Sequence, residues 1–285
     1  MTEVRKVYAG DFETILPLLG GFHNQKLKRE DWQQLFVRHW DSPEEHFGYC
    51  MLDGNKTVGF IGTVFSTQVI HGKAEKFCNL SSWYVMPEYR HESLAVLFPV
   101  LGLKDFTLTN FTANQHIASM MRGFGFKDLE PSFKIILPLP VGLLSSGIII
   151  TDKHNIPNHL DTANLKIFQD HVNLHCDHAL YVNKEENCYL VMNKTYKKGL
   201  PIAYVDYISD TNTFLKHANE IAWRVCTKMK VAGLMVGDRF TQHKTIPGSL
   251  TVARKQFLLY RSDHLKESDI NTLYSEIQIL GHEPR

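Results

Sequence analysis

The 285-residue sequence is short of cysteine, of net charge and of long apolar runs, and each shortage narrows what the chain can be. Its five cysteines, Cys50, Cys78, Cys176, Cys188 and Cys226, are odd in number and contain no CxxC pair. Neither a disulfide framework nor a thiolate zinc site is expected from them. A formal charge of +1 gives no general basic field, which argues against a partner bound through nucleic-acid phosphates. Roughly eighteen uninterrupted apolar residues, the minimum for a membrane-spanning helix, occur nowhere. The amino-terminal stretch carries Glu3, Arg5, Lys6 and Asp11 where a signal peptide would be apolar, so no membrane association and a cytoplasmic setting are expected. What is present is a globular composition, 44% hydrophobic and 21% charged, sufficient for one large core or two smaller ones.

Hydrophobic periods alternate along the chain between the strand repeat and the helix repeat. A strand over 4–8, helices over 12–19 and 29–40, and strands over 47–52 and 57–66 open the pattern. The last two flank Asp53-Gly54-Asn55, a turn composition suited to an antiparallel hairpin. After the turn His71-Gly72-Lys73 come a strand over 76–85, a helix over 92–103, a short strand over 105–109, a helix over 114–124 and a closing strand over 133–137. Pro138, Pro140 and Gly142 then mark a boundary, dividing the chain into 1–138 and 139–285. The second part echoes the order: helix 159–178, strands 187–195 and 201–208, helix 213–229, strands 231–236 and 251–260. The class is α/β (α+β), a mixed sheet flanked by helices in each of two units.

Chemistry concentrates between Asn79 and Gly125. The strand ending at Val85 stops at Pro87, turns through Glu88-Tyr89-Arg90-His91 and opens a helix whose first amides, Glu92, Ser93, Leu94 and Ala95, are expected to point outward. A helix start of this kind binds anions, and Arg90 adds a charge-assisted bond to a pyrophosphate. The residues Arg90-x-x-Ser93-x-Ala95 resemble the Q/R-x-x-G-x-G/A motif of the GCN5-related N-acetyltransferase (GNAT) superfamily, with Ser93 in place of the first glycine. Asn114-Gln-His-Ile-Ala-Ser-Met-Met-Arg-Gly-Phe-Gly-Phe126 is similar to the family's helix beside the pantetheine arm.

The resemblance implies the GNAT fold in tandem and acyl-CoA as co-substrate, acetyl-CoA or 3-hydroxybutyryl-CoA, with no permanently bound cofactor and no metal. It implies that backbone amides near Tyr84 and Val85 hold the thioester, and that Asn114 lies beside the cofactor. Two departures stand out. Asn79 occupies the position of the family's general-base carboxylate and cannot take a proton, so a water relayed to His23, Glu75 or His71 is the expected substitute. Met121 occupies the position of a tyrosine proposed as general acid. By analogy His23, Asn24 and Trp83 border the acceptor, and Tyr204, Asp206, Tyr207 and Arg239 of the second unit complete its cleft. Asp210 stands where the second unit would need a phosphate-binding arginine. Tandem GNAT enzymes of this length resemble acyltransferases of dTDP-linked 3-amino-3,6-dideoxy sugars, which serve surface-polysaccharide synthesis. An aminoglycoside, an amino acid, a protein lysine, or a non-catalytic acyl-CoA sensor are the alternatives. Oligomeric state is left open.

Two further patterns have structural readings. His171, His175 and His178 at helical spacing could face a metal but equally border a cleft or solvent. Trp32, Phe36 and Trp40, spaced i, i+4, i+8, could form an aromatic wall for the acceptor, but are expected to pack a helix against the core.

Overall fold

The computed structural model describes residues 2–22, 24, 26–140, 146–184 and 186–281. Its elements divide into two compact units. The first comprises the chain up to Lys127 together with Leu258–Leu265 and a segment beginning at Tyr274; the second comprises Asp128–Phe257 and Lys266–Leu273.

The first unit opens with β1 (Glu3–Lys6), α1 (Phe12–Gly20) and α2 (Arg29–Gln33), followed by β2 (Gly48–Asp53), β3 (Lys56–Ile70) and β4 (Lys73–Val85). Then come α3 (Leu94–Leu101), β5 (Phe106–Ala113), α4 (Gln115–Gly123) and the short β6 (Lys127–Asp128). The hairpins at Asp53-Gly54-Asn55 and His71-Gly72 form as their turn residues dictate. The expected helix over 29–40 is shorter. After α2 a 3₁₀ turn ends at Phe36, and Val37 is extended at φ −115° and ψ 142°. Trp32 and Phe36 enter the core with Ile15, Leu18 and Leu19, whereas Trp40 leaves the helix and donates its indole N–H to the Phe65 carbonyl at 2.8 Å. The apolar period extends past the helix because Trp40, in the loop that follows it, still packs partly buried against the same core.

The second unit contains β7 (Ser132–Ile136), β8 (Ile148–Ile150), α5 (Thr162–His171), β9 (Asp177–Asn183), β10 (Glu186–Lys197) and β11 (Leu200–Ile208). It continues with α6 (Thr211–Lys216), α7 (Ala218–Met229), β12 (Leu234–Gly237) and β13 (Ser249–Ala253). The helix expected over 159–178 ends at His171, and His178 lies on β9, a strand that the sequence pattern concealed. The helix expected over 213–229 breaks at His217. The strand expected over 251–260 is two strands, β13 and β14 (Phe257–Arg261), and a short helix α8 (Glu276–Leu280) follows.

The two seven-stranded sheets have the orders β1-β2-β3-β4-β5-β14-β6 and β13-β7-β12-β11-β10-β9-β8. Read from opposite edges they match: the parallel pair β11–β12 stands where β4–β5 stands, and β7 stands where β14 does. The strand expected to close the first unit, β7, instead pairs with β12 and β13 of the second sheet. In return β14 enters the first sheet, so a cut after residue 138 does not separate the two cores. The exchange is held by burial. Ile136 belongs to the second core with Val205, Leu234 and Val236, while Leu258 and Leu259 of β14 are buried and Ile279 and Leu280 of α8 join the first core. Each such side chain contributes about 1.5–3 kcal/mol on burial. Among the described residues no helix is long and apolar enough to cross a membrane.

We expect a fragment of residues 1–138 to show no cooperative thermal transition by circular dichroism, because it lacks β14 and α8 and exposes the apolar face of β7. A sigmoidal melt with dispersed amide resonances would mean that the first sheet closes without the exchanged strand.

Candidate active site

The first sheet is interrupted between β4 and β5. Strands β4 and β5 run parallel in register from Lys76↔Phe106 to Asn79↔Thr109, and there the pairing stops, although β4 continues to Val85 and β5 to Ala113. Just beyond, β4 bulges: Gly62 faces Ser81 and Phe60 faces Tyr84, leaving Ser82 and Trp83 opposite Ile61 alone. Ser82 adopts a φ of 47°, which costs a non-glycine residue about 1–3 kcal/mol and clusters at functional positions. Backbone groups along 80–85 are thereby freed from the β5 ladder. Tyr84 is half-buried, and the loop after α1 rests on it, since a Cβ on Gly21 would come within 2.3 Å of the Tyr84 ring. Val85 is buried and Trp83 half-buried.

Past Val85 the chain winds immediately. Pro87 begins a 3₁₀ turn over Pro87–Glu92 that runs without a break into α3. Ser93 has φ −56°, a helical value open to any residue, so the glycine usual in the motif is not required there. One expectation is corrected: the Ser93 amide is not free but donates to the Arg90 carbonyl at 3.2 Å, because the turn winds earlier than a helix starting at Glu92 would. Arg90 is exposed and, among the described residues, makes no ion pair. His91 lies 3.2 Å from the Glu92 carboxylate, which also accepts from Thr2. Leu94 and Ala95, half-buried, form the first turn of α3. Asn114 caps α4, its Oδ1 accepting from the Ile117 amide at 2.9 Å, and Met121 is fully buried on the same helix. Gly125 ends the motif at φ 84°, which favours glycine.

The opening between β4 and β5 is not empty of acid-base chemistry. Asn79, 2% exposed, donates through Nδ2 to Glu276 Oε2, and its Oδ1 accepts from Thr109 Oγ1 at 3.1 Å. Thr112 Oγ1 donates to the other carboxylate oxygen of Glu276 at 2.7 Å. Glu276 is thus strung between the last paired residue of β4 and a residue of β5 beyond the pairing. Burial raises its pKa, and the hydrogen bonds from Thr112 and Asn79 oppose that rise only in part. Asn79 is committed to this carboxylate rather than to a relayed water. Of the other acceptors expected, Glu75 is taken by His264 at 2.8 Å, His71 sits at the β3–β4 turn, and His23 lies outside the described residues. Asn24 accepts from the Lys26 amide at 3.1 Å. No sequence motif marks Glu276, 197 residues from Asn79. The capping pattern Ser275-Glu-Ile-Gln278 is its only signal, and it marks a helix, not a base.

No family model and no curated protein sequence matches the chain. Solved structures do. A GCN5-related N-acetyltransferase from Anabaena variabilis superposes over 92% of this chain and 72% of its own, with a TM-score of 0.59 at 12% identity. One from Kribbella flavida covers 91% and 70%, with 0.55 at 13%. Eis1 from Mycobacterium abscessus covers 92% and 73%, with 0.52 at 12%. The fold is that of the GCN5-related N-acetyltransferases. The strand parting and bulge in this GNAT fold lie on β4 just ahead of the turn that carries Arg90-x-x-Ser93-x-Ala95.

In the second GNAT-like sheet the corresponding gap is closed. Pairing of β11 with β12 ends at Val205↔Val236. The segment 270–272 then lies alongside, its Ile270 carbonyl accepting from Arg239 Nε at 3.0 Å and its Thr272 hydroxyl donating to Asp206 Oδ1 at 2.7 Å. Tyr204, Asp206 and Arg239, expected to present polar groups to an acceptor, are 1%, 0% and 5% exposed and bonded internally. Arg239 and Arg254 both pair with buried Glu130, Tyr204 accepts from Arg254 at 2.8 Å, and Asp206 accepts from Asn193. Tyr207 donates to Asn164 at 2.9 Å. These side chains are polar because their unit carries an internal ion-pair network, not because they meet solvent. Asp210 caps α6 through the Asn212 and Thr213 amides. The three histidines do not converge: His171 bonds the Ile167 carbonyl, His178 bonds Tyr189, and His175 is exposed. Among the described residues no group of three or more His, Cys, Asp or Glu side chains could hold a metal ion.

Burial lifts the Asp206 carboxyl from 3.8 to about 7, against the pull of Thr272 and Asn193. A carboxyl whose folded pKa lies above its unfolded value stabilises fully at pH below about 4, and this contribution is lost as pH rises through 7. The stability of the native protein relative to Asp206→Asn should therefore fall between pH 4 and 8, by up to about 4 kcal/mol. Urea melts of both proteins across that range test this; parallel curves would place the titration elsewhere.

Proposed function

We propose that the chain is a CoA-dependent N-acyltransferase that moves an acetyl or short hydroxyacyl group from acyl-CoA to the amine of a small acceptor. The observation that carries this reading is the parting of β4 and β5 after Asn79↔Thr109, with a bulge at Ser82 on one side and a buried carboxyl on the other. The thioester lies in the opening. Its pyrophosphate sits against the turn from Arg90 through Ala95, where Arg90 supplies the charge and the start of α3 the dipole. Backbone amides of the unpaired stretch around Tyr84 and Val85 polarise the thioester carbonyl. The amine nitrogen attacks the carbonyl carbon, the C–S bond breaks, and the CoA thiolate leaves.

The proton given up by the amine goes to Glu276, whose pKa, raised by burial, makes it a stronger base than an ordinary carboxylate. It then passes to the leaving thiolate. Asn79 and Thr112 hold one carboxylate oxygen each, so they are positioning residues. This accounts for the departures at Asn79 and Met121: the base comes from α8, and no tyrosine is needed on α4. The second unit takes no CoA, because its gap is filled by 270–272 and its turn begins with Asp210. A nucleotide-linked amino sugar is the acceptor we favour, on the tandem arrangement alone. Thiol release from acetyl-CoA and 3-hydroxybutyryl-CoA against dTDP-amino sugars, aminoglycosides and lysine peptides ranks the acceptors, and CoA binding without release from any amine points to a sensor.

Two variants test the assignment. Glu276→Gln should lower kcat about 10²–10⁴-fold while leaving the Kd for CoA unchanged; an unaltered kcat would remove Glu276 from the proton path. Arg90→Glu should weaken CoA binding about tenfold or more by titration calorimetry, and an unchanged Kd would move the pyrophosphate away from this turn.

A further inference from the structure

Beside the opening, the first unit holds a small pocket, a cavity of about 30 Å³ open to solvent, whose walls include Trp40, Glu44, His46, Phe47, Thr63 and Ile279. Two features tie it to the acyl-transfer site. Val64, also in its wall, stands opposite Asn79 in the β3–β4 register, and Ile279 lies three residues along α8 from Glu276.

Two wall residues carry buried polar atoms with no hydrogen-bond partner among the described residues, His46 Nε2 and Thr63 Oγ1. The residues are 2% and 3% exposed. His46 Nδ1 lies 3.2 Å from the Gly48 carbonyl oxygen, which assigns the ring hydrogen to Nδ1 and leaves a lone pair on Nε2. The nearest charge, Glu44 Oε2, is 3.5 Å from Nε2 and is shared with Lys6 at 3.4 Å. Burial and Lys6 lower the His46 pKa and so favour the neutral ring. The Trp40 indole N–H is spent on Phe65, so Trp40 brings an apolar ring face to the wall.

Native folds rarely retain unpaired buried polar atoms, because each forfeits its hydration without a return. We propose that this pocket receives a hydroxyl group of the amine acceptor, which makes the acceptor a hydroxylated amine, such as an amino sugar or amino alcohol, rather than a plain alkylamine. The ligand hydroxyl donates to His46 Nε2 or Glu44 and accepts from the Thr63 hydroxyl, while Trp40 and Phe47 cover its carbon skeleton. A site built to bond a hydroxyl discriminates against the analogue that lacks it, since the protein groups are then left unpaired. The inference rests on the acyl-transfer reading above for the role of the bound amine, but not for binding itself.

The test pairs two amines on six-membered rings, glucosamine and cyclohexylamine, compared per neutral amine in thiol release from acetyl-CoA. The wild type should prefer glucosamine at least tenfold in kcat/KM. In Thr63→Val that ratio should drop about tenfold, chiefly through KM, with a melting temperature equal to or above that of the wild type, and Thr63→Ser should restore it. Equal rates with the two amines, or a ratio unaltered by Thr63→Val, overturn the proposal. If neither amine releases thiol, the acyl-transfer reading rests on the wider acceptor panel above, and saturation-transfer NMR with glucosamine decides the pocket separately. A signal present in the wild type and lost in Thr63→Val supports it; no signal, or the same signal in both, means that water alone satisfies the two atoms and overturns it.

Discussion

Everything proposed for the first unit depends on a carboxyl held where two parallel strands part. A sheet normally gains by pairing every backbone group, so unpaired lengths of β4 and β5 need a reason to persist. Glu276 supplies one. Its two oxygens accept from Asn79 on β4 and Thr112 on β5, spanning the separation with charge-assisted bonds in a place from which water is largely excluded. The same bonds leave the backbone beyond Asn79 available to a ligand, and they hold a carboxyl of raised pKa beside it.

The second unit shows the same architecture put to the opposite use. Where β11 and β12 part, the chain just ahead of α8 fills the gap with its own backbone and Thr272, while Glu130, Arg239 and Arg254 form a buried ion-pair network. One carboxyl between two guanidinium groups is stable only with its partners in place, so the network fixes the local strand ends. The C-terminal stretch thus closes one gap with residues 270–272 and furnishes the other with Glu276.

Much of the fold could be read along the chain because it is governed by local chemistry. The hairpin at Asp53-Gly54-Asn55, the turn at Pro87 and the helix that follows Asn114 arise from conformational preferences of a few adjacent residues, and the structure has all three. Readings that required long apolar periods to end somewhere were less secure. The helix beginning at Arg29 stops at Phe36 and the one ending at His171 yields to β9, since a buried residue in a loop or strand continues the same apolar spacing. Tyr204, Asp206 and Arg239 were misplaced for a related reason: a polar side chain looks alike whether it meets solvent or a buried partner.

The sequence by itself determined the α/β class, the order of elements from β1 to α4 and the Arg90-to-Ala95 turn, since each of these depends on residues close together in the chain. Only the tertiary structure decided that β7 and β14 change sheets, because an apolar strand carries no mark of the sheet it will join and the choice is made by whichever core buries it. Only the tertiary structure brought Glu276 to Asn79, because a contact across 197 residues is set by the packing of α8 and not by spacing.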